Sequence, residues 1–287
     1  MEGAAGERTI VSVSAELYQV EVQMLTAEQI AQYRRSVFVN GGPVLDDEEV
    51  EILQAEVLRV IEDRDDPNVP QPVALSNLAG DDTNPIWQIV NIWQASAAFR
   101  RLIEHREVCG MAAQLSGARE LRVWHDQIQF KPKAQGGRLH WHQDSPLWRT
   151  LQPKNAQITA WIALDDAEAD NGCMYMVPGS HTWGDQQDQL DEMPDGTDLP
   201  ETFEGNPLHF VMCPVRRGHV HFHHSLTWHG SGTNHSSRHR RAIAIHFMTE
   251  QTSFDESGEH IMKPFIEVSD GAQLTGEAFP LLWPGVR

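Results

Sequence analysis

The chemical centre of the chain is the run Leu139-His140-Trp141-His142-Gln143-Asp144. Whether such a run can grip a metal ion depends on its backbone. On a helix, residues two apart point to nearly opposite sides, whereas on a strand they share a face roughly 6.6–6.8 Å apart. A strand is therefore required, and it presents His140, His142 and Asp144 together as a His-x-His or a His-x-Asp pair. A third ligand must come from elsewhere. The chain has 15 His, eight of them between residues 209 and 239. Among these, His219, His221 and His223 alternate along a predicted strand, and His229 opens the turn His229-Gly230-Ser231-Gly232. Two neutral imidazoles and one carboxylate on one side of an ion, with the opposite positions open, form the facial triad of non-haem iron(II) chemistry. His142, Asp144 and one distal His fit that set.

A 2-oxo acid chelated at the open positions could supply by decarboxylation the electrons that oxygen chemistry needs, and its far carboxylate calls for a cation. The chain holds 41 Asp+Glu against 22 Lys+Arg, a formal charge of −19, so the basic run Arg238-His239-Arg240-Arg241 stands out. It leads into the apolar strand Ala242-Ile243-Ala244-Ile245, and a guanidinium held there clamps a carboxylate bidentately, as lysine cannot. Other metal chemistries fit less well. A cupin site built on His140-Trp141-His142 wants a Glu shortly after, and Ser145 to Trp148 supply none. A halogenase replaces the metal carboxylate by a small residue, and Asp144 fills that place. A zinc hydrolase can use two His and an Asp with an activated water, but it leaves Arg240 without a task. A metal-stabilised jelly roll with a binding role and no catalysis is the non-enzymatic alternative.

The elements that must position these residues change character along the chain. Leu25-Thr26 opens a short helix through Arg35, and Val50, Leu53, Val57 and Ile61 recur at helical spacing behind the acids Asp46 to Glu49, which suit the positive end of a helix. Residues 64–85 hold Pro67, Pro70, Pro72 and Pro85 and read as a loop. Phe99, Leu102, Ile103, Met111 and Leu115 predict a second core-facing helix ending near Gly117. From about residue 121, short apolar or alternating runs take over: Leu121–Phe130, Gln157–Leu164, Cys173–Val177, His219–His223 and Ala242–Met248. Turn residues separate them and no helical pattern intervenes, which points to an antiparallel sandwich or barrel. The acidic stretch 184–206 reads as a long surface loop, and the apolar end Phe279 to Pro284 as a tail packed on the body.

This gives a mainly β chain with peripheral helices, organised as one domain: helical support over about 20–118, a core over about 119–250, and a tail over 251–287. The negative charge makes nucleic acids and anionic membranes poor partners, and nowhere do 18 apolar residues run together. The first residues lack a basic segment followed by an apolar one. The three cysteines, Cys109, Cys173 and Cys213, form neither a disulfide framework nor a CxxC pair. A reducing, cytoplasmic setting is the expectation, and the residues do not specify an oligomeric state.

Four blocks together resemble the phytanoyl-CoA dioxygenase family of Fe(II)/2-oxoglutarate oxygenases. They are His142-Gln143-Asp144, Trp161, the segment Asn171-Gly172-Cys173 to Pro178-Gly179-Ser180-His181, and His229-Gly230-Ser231-Gly232 followed eleven residues after His229 by Arg240. The blocks cover roughly residues 120–250, and Leu25-Thr26 to Phe38 is similar to the family's opening. The resemblance implies a double-stranded β-helix of the jelly-roll, cupin-like type with iron between its sheets. It implies His142, Asp144 and His229 as metal ligands and Arg240, assisted by Ser231, as the partner of the cosubstrate's distal carboxylate. Trp161 is implied to line the cosubstrate pocket, together with Gln127 or with Gln129 on the same strand face. The implied reaction consumes 2-oxoglutarate and O2, releases succinate and CO2, and hydroxylates a small-molecule substrate. The chain departs from the family at His219, where an acid is usual, and in the His-rich strand that follows.

Overall fold

Strands that alternate two kinds of side chain must sit between two different environments, and the long strands here do so. The computed structural model describes residues 24–79, 85–134, 137–193 and 199–284. Seven strands form the main antiparallel sheet in the order Phe38–Pro43, His219–His224, Gln157–Ala163, Arg240–Thr249, Leu121–Lys131, Trp87–Val90 and Ala74–Asn77, and Leu281–Trp283 adds to Leu121–Lys131. A second sheet faces it, in the order Val211–Cys213, Met174–Met176, His229–Ser231 and Leu139–His142. This is a double-stranded β-helix, the jelly-roll arrangement, with a narrow space between its two sheets.

The outer face of the main sheet carries Ile158, Ala160, Ile162, Val220, Phe222, Ile243, Ile245 and Phe247, all buried in the largest apolar core. Four helices cover that face: α1 (Ala27–Ser36), α2 (Asp47–Glu62), α3 (Ala97–Ile103) and α4 (Arg106–Ser116). Helix α2 begins with a capping box in which Asp46 and Glu49 satisfy each other's backbone N–H, and it buries Val50, Leu53, Val57 and Val60. Burying such a stripe contributes about 1.5–3 kcal/mol per large aliphatic side chain, so these helices hold the main sheet as a rigid backing for the site.

Three sequence expectations change. The helix predicted from Phe99 to Gly117 is two helices, because His105 caps a new one: its Nδ1 accepts from the Val108 N–H at 3.5 Å. The predicted loop 64–85 contains the strand Ala74–Asn77, paired with Trp87–Val90. Its residues are half-buried or exposed, so an edge strand formed without the apolar alternation that announces one. The support region is therefore not helical throughout, since it supplies three strands of the main sheet. Near the end of the chain, Leu281 pairs with Arg122.

Candidate metal centre and cosubstrate pocket

His142 and His229 sit directly opposite each other on neighbouring strands of the small sheet, with ring centroids 4.0 Å apart. Each ring is held from behind. His142 Nδ1 donates to the His140 carbonyl at 2.8 Å and His229 Nδ1 donates to the Thr227 carbonyl at 2.8 Å. A neutral imidazole that donates from Nδ1 carries its lone pair on Nε2, the form a metal requires.

Asp144 arrives by a different route from the one its spacing predicts. It lies past the strand, in the short helical turn Asp144–Leu147, where the Asp144 and Ser145 N–H groups donate to the Ser225 carbonyl at 2.9 and 3.1 Å. The turn aims the carboxylate inward all the same: Oδ1 stands 3.9 Å from His142 Nε2 and 3.6 Å from His229 Nε2. The three ligand atoms all lie within 4.8 Å of one another, close enough to meet at one ion. His140 does not join them; its Nε2 lies 3.1 Å from the Leu190 carbonyl.

Burial pushes the His142 imidazole down, with Asp144 opposing, and pushes His229 well below its usual range. Burial acts on Asp144 in the opposite sense, but the His229 imidazole and then the His223 hydrogen bond outweigh it, so the carboxyl is held well below the ordinary carboxylate range. The donor set at neutral pH is thus two neutral imidazoles and one carboxylate.

Of the three arginines in the 238–241 run, only Arg240 turns inward. Arg238 binds Glu168 and Asp170, and Arg241 forms a two-point contact with Asp165 at 2.8 and 2.8 Å. Arg240 is fully buried. Its Nη2 donates to the Gly172 carbonyl at 3.0 Å and to Ser231 Oγ at 3.4 Å, while Nε and Nη1 have no partner. Its guanidinium carbon lies 5.4 Å from the Trp161 ring centre. Lys131 comes in beside it, donating from Nζ to Ser231 Oγ at 2.7 Å and to the Gly232 carbonyl at 2.6 Å. Burial and then Arg240 push this lysine down to about 5, and burial pushes Arg240 down to about 10. Among the described residues neither cation forms an ion pair. A buried guanidinium without an acid, its Nε and Nη1 free, with a buried amine beside it, makes a receptor for an anion.

A small cavity lies against Asp144 and His229 and reaches Ser231, the hydroxyl that both Arg240 and Lys131 contact; Gln129, Thr159 and Trp161 are also in its lining. Gln129 is therefore in the lining, and Gln127, two residues earlier on the same strand, is not. Sequence reading missed Lys131, Thr159 and His246. All three lie on the inner face at even spacing from recognised residues: Lys131 from Gln129, Thr159 from Trp161 and His246 from Arg240. The period of two along those strands was the available signal. Gly172 completes the pocket. Its φ is +82°, and a Cβ there would strike the Gly232 carbonyl that Lys131 holds.

With this geometry in view, comparison with known proteins is informative. The profile of the phytanoyl-CoA dioxygenase (PhyH) family matches residues 33–242. The mouse phytanoyl-CoA dioxygenase domain-containing protein 1 is 34% identical over 123 residues, 42% of each chain. The ectoine dioxygenase of Bordetella parapertussis is 30% identical over 159 residues, 55% of this chain and 50% of that one. The chain spans about half the length of the curated relatives it matches. Among solved structures, the non-heme alpha ketoglutarate dependent carbocyclase SnoK from nogalamycin biosynthesis superposes with TM-score 0.70 and 28% identity, covering 90% of this chain and 96% of that one. The epimerase SnoN, solved with Fe3+, alpha ketoglutarate and nogalamycin RO, superposes with TM-score 0.68 and 25% identity, covering 89% and 97%.

Proposed function

Because the chain belongs to the phytanoyl-CoA dioxygenase family, we propose that it is an Fe(II)/2-oxoglutarate-dependent dioxygenase that oxidises a C–H bond of a small molecule. The observation that carries this reading is the pairing of a convergent His142, Asp144 and His229 with a buried, partly unpartnered Arg240, whose partner Ser231 lines the same small cavity as Asp144 and His229. A zinc hydrolase or a metal-stabilised binding protein has use for the first and none for the second.

In this reading His142, Asp144 and His229 hold Fe(II), and Arg240, with Ser231 and Lys131 beside it, takes the distal carboxylate of 2-oxoglutarate. Ferrous iron and 2-oxoglutarate supply O2 activation when bound, with decarboxylation to succinate and CO2. The protein's part is to orient and to exclude water. The carbonyls of His140 and Thr227 hold both imidazoles in the ligating tautomer. Trp161 walls the cavity and Gln129 borders it. Gln127 holds its place on the same strand, outside that lining. Lys131, held neutral by burial, gains a reason to take up a proton when an anion enters, since the anion offsets the field of Arg240. No side chain is assigned as a general base, because the reaction needs none.

The substrate is proposed to be a small metabolite rather than a CoA ester. Outside the 238–241 run the basic residues are scattered, and two of them are engaged, Arg217 with Asp47 at 3.3 Å and Arg100 with Glu104 at 2.7 Å. SnoK and SnoN, named as a carbocyclase and an epimerase, both belong to nogalamycin biosynthesis, which is in keeping with a small organic substrate and an outcome wider than hydroxylation. No helix among the described residues is long and apolar enough to cross a membrane, and a cytoplasmic setting is proposed. The test is succinate release and O2 consumption by the purified protein with Fe(II), ascorbate and 2-oxoglutarate. Wild type releases succinate; Asp144→Ala, which removes the only anionic ligand, falls to background. Equal release by both would remove the triad from the account.

A further inference from the structure

The His-rich strand His219–His224 is the part of the inner surface that the proposed reaction does not use. Its three inward histidines differ in what they touch. His219 borders a surface groove beside Arg216. His221 stacks on Phe38 with ring centroids 5.9 Å apart. Only His223 reaches the centre, and it does so through Asp144: its Nε2 lies 3.1 Å from Oδ2.

That contact belongs to a row that crosses the main sheet. His223, Thr159 and His246 are direct cross-strand neighbours on three adjacent strands. Thr159 Oγ1 lies 2.7 Å from Asp144 Oδ2 and 2.8 Å from His246 Nδ1. A hydroxyl has one proton to give. The ionised carboxylate can only accept, so Thr159 donates to it and His246 Nδ1 donates to Thr159. By the same logic His223 Nε2 carries a proton and donates. Asp144 Oδ2 therefore receives two hydrogen bonds from the main sheet, while Oδ1 faces His142 and His229. His223 Nδ1 is buried with no partner, a cost accepted for the bond on the other nitrogen.

We propose that His223 is a positioning residue, which with Thr159 ties down Oδ2 so that Asp144 meets the ion through Oδ1 alone. The consequence is a count of open positions. A carboxylate free to swing can chelate through both oxygens and close one of the places that a chelating cosubstrate and O2 need. The inference rests on the oxygenase reading for the identity of the ion, and on hydrogen-bond geometry for the rest.

Anaerobic Co(II) titration of the metal-free protein tests it, read by the dissociation constant and by the visible ligand-field bands, whose intensity falls as coordination number rises. Substituting a group that orients a metal ligand costs 10–100-fold in affinity as a rule, so His223→Leu should weaken Co(II) binding by about that factor and dim the bands, whereas His223→Gln, which keeps an N–H donor, stays within about threefold of wild type. Thr159→Val removes the other donor and moves both readouts in the same direction, and it decides the matter if the leucine variant does not fold. His221→Leu, on the same face but clear of Asp144, matches wild type. Unchanged constants and bands in His223→Leu, or equal losses in the leucine and glutamine variants, would overturn the proposal. Co(II) binding by wild type with no spectral response to 2-oxoglutarate would instead overturn the oxygenase reading, and the variant constants would still decide the role of His223.

Discussion

At the scale of single residues, the chemistry turns on which atoms are left without partners. Arg240 is the clearest case. A guanidinium sealed from water with two unpartnered nitrogens is costly unless something anionic arrives, and charge-assisted bonds to that group are worth about 1.5–3 kcal/mol each. Arg240→Met should therefore raise the dissociation constant for 2-oxoglutarate at least tenfold while leaving metal affinity near wild type. Isothermal titration of the metal-loaded protein checks both; an unchanged 2-oxoglutarate constant would remove Arg240 from the pocket. Residue types made His142, Asp144, a distal imidazole and the basic run 238–241 legible in the sequence, and the family resemblance singled out His229 and Arg240 among the candidates. Thr159 and Lys131 were not legible. A threonine in a strand and a lysine before a proline are ordinary, and only the fold shows one beneath Asp144 and the other beside Ser231.

At the scale of elements, the site is built by two sheets with separate duties. The small sheet carries His142 and His229, while the main sheet carries the arginine, the lysine and the row of side chains behind Asp144. At Gly172, φ is +82°, a Cβ would strike the Gly232 carbonyl, and the residue's own carbonyl accepts from Arg240. Replacing a positive-φ glycine costs about 1–3 kcal/mol where neighbours cannot yield. Gly172→Ala should lower the melting temperature and weaken 2-oxoglutarate binding together, since its Cβ meets the Gly232 carbonyl. Thermal scans with and without 2-oxoglutarate measure both, and a variant stabilised by the ligand as well as wild type would contradict the link. Strand periodicity predicted the five central runs, four of which alternate between the helix-backed face of the main sheet and its inner face, while Met174–Met176 lies in the small sheet. The strand Ala74–Asn77 and the break at His105 escaped notice because an exposed edge strand has no apolar pattern and a histidine cap has no distinctive composition.

For the whole molecule, the burial of so many histidines sets a pH dependence. Burial pushes His221 down from 6.5 to about 3, and His224 and His260 to about 4. Between those values and 6.5 the unfolded chain binds more protons than the folded one, so stability is fully present above 6.5 and is lost as pH falls toward 4. The melting temperature of the metal-free protein should hold from pH 8 to about 6.5 and then decline; a flat profile down to pH 5 would show that these imidazoles are not buried as described. The acidic surface adds self-repulsion and keeps polyanions away, in keeping with a small-molecule partner.

The most direct test of the central claim is diffraction at the iron absorption edge from crystals prepared anaerobically with Fe(II) and 2-oxoglutarate. The account predicts one anomalous peak in contact with His142 Nε2, Asp144 Oδ1 and His229 Nε2, and a carboxylate on the Arg240 guanidinium. A metal lodged elsewhere, or an Arg240 still without an anionic partner, would contradict it.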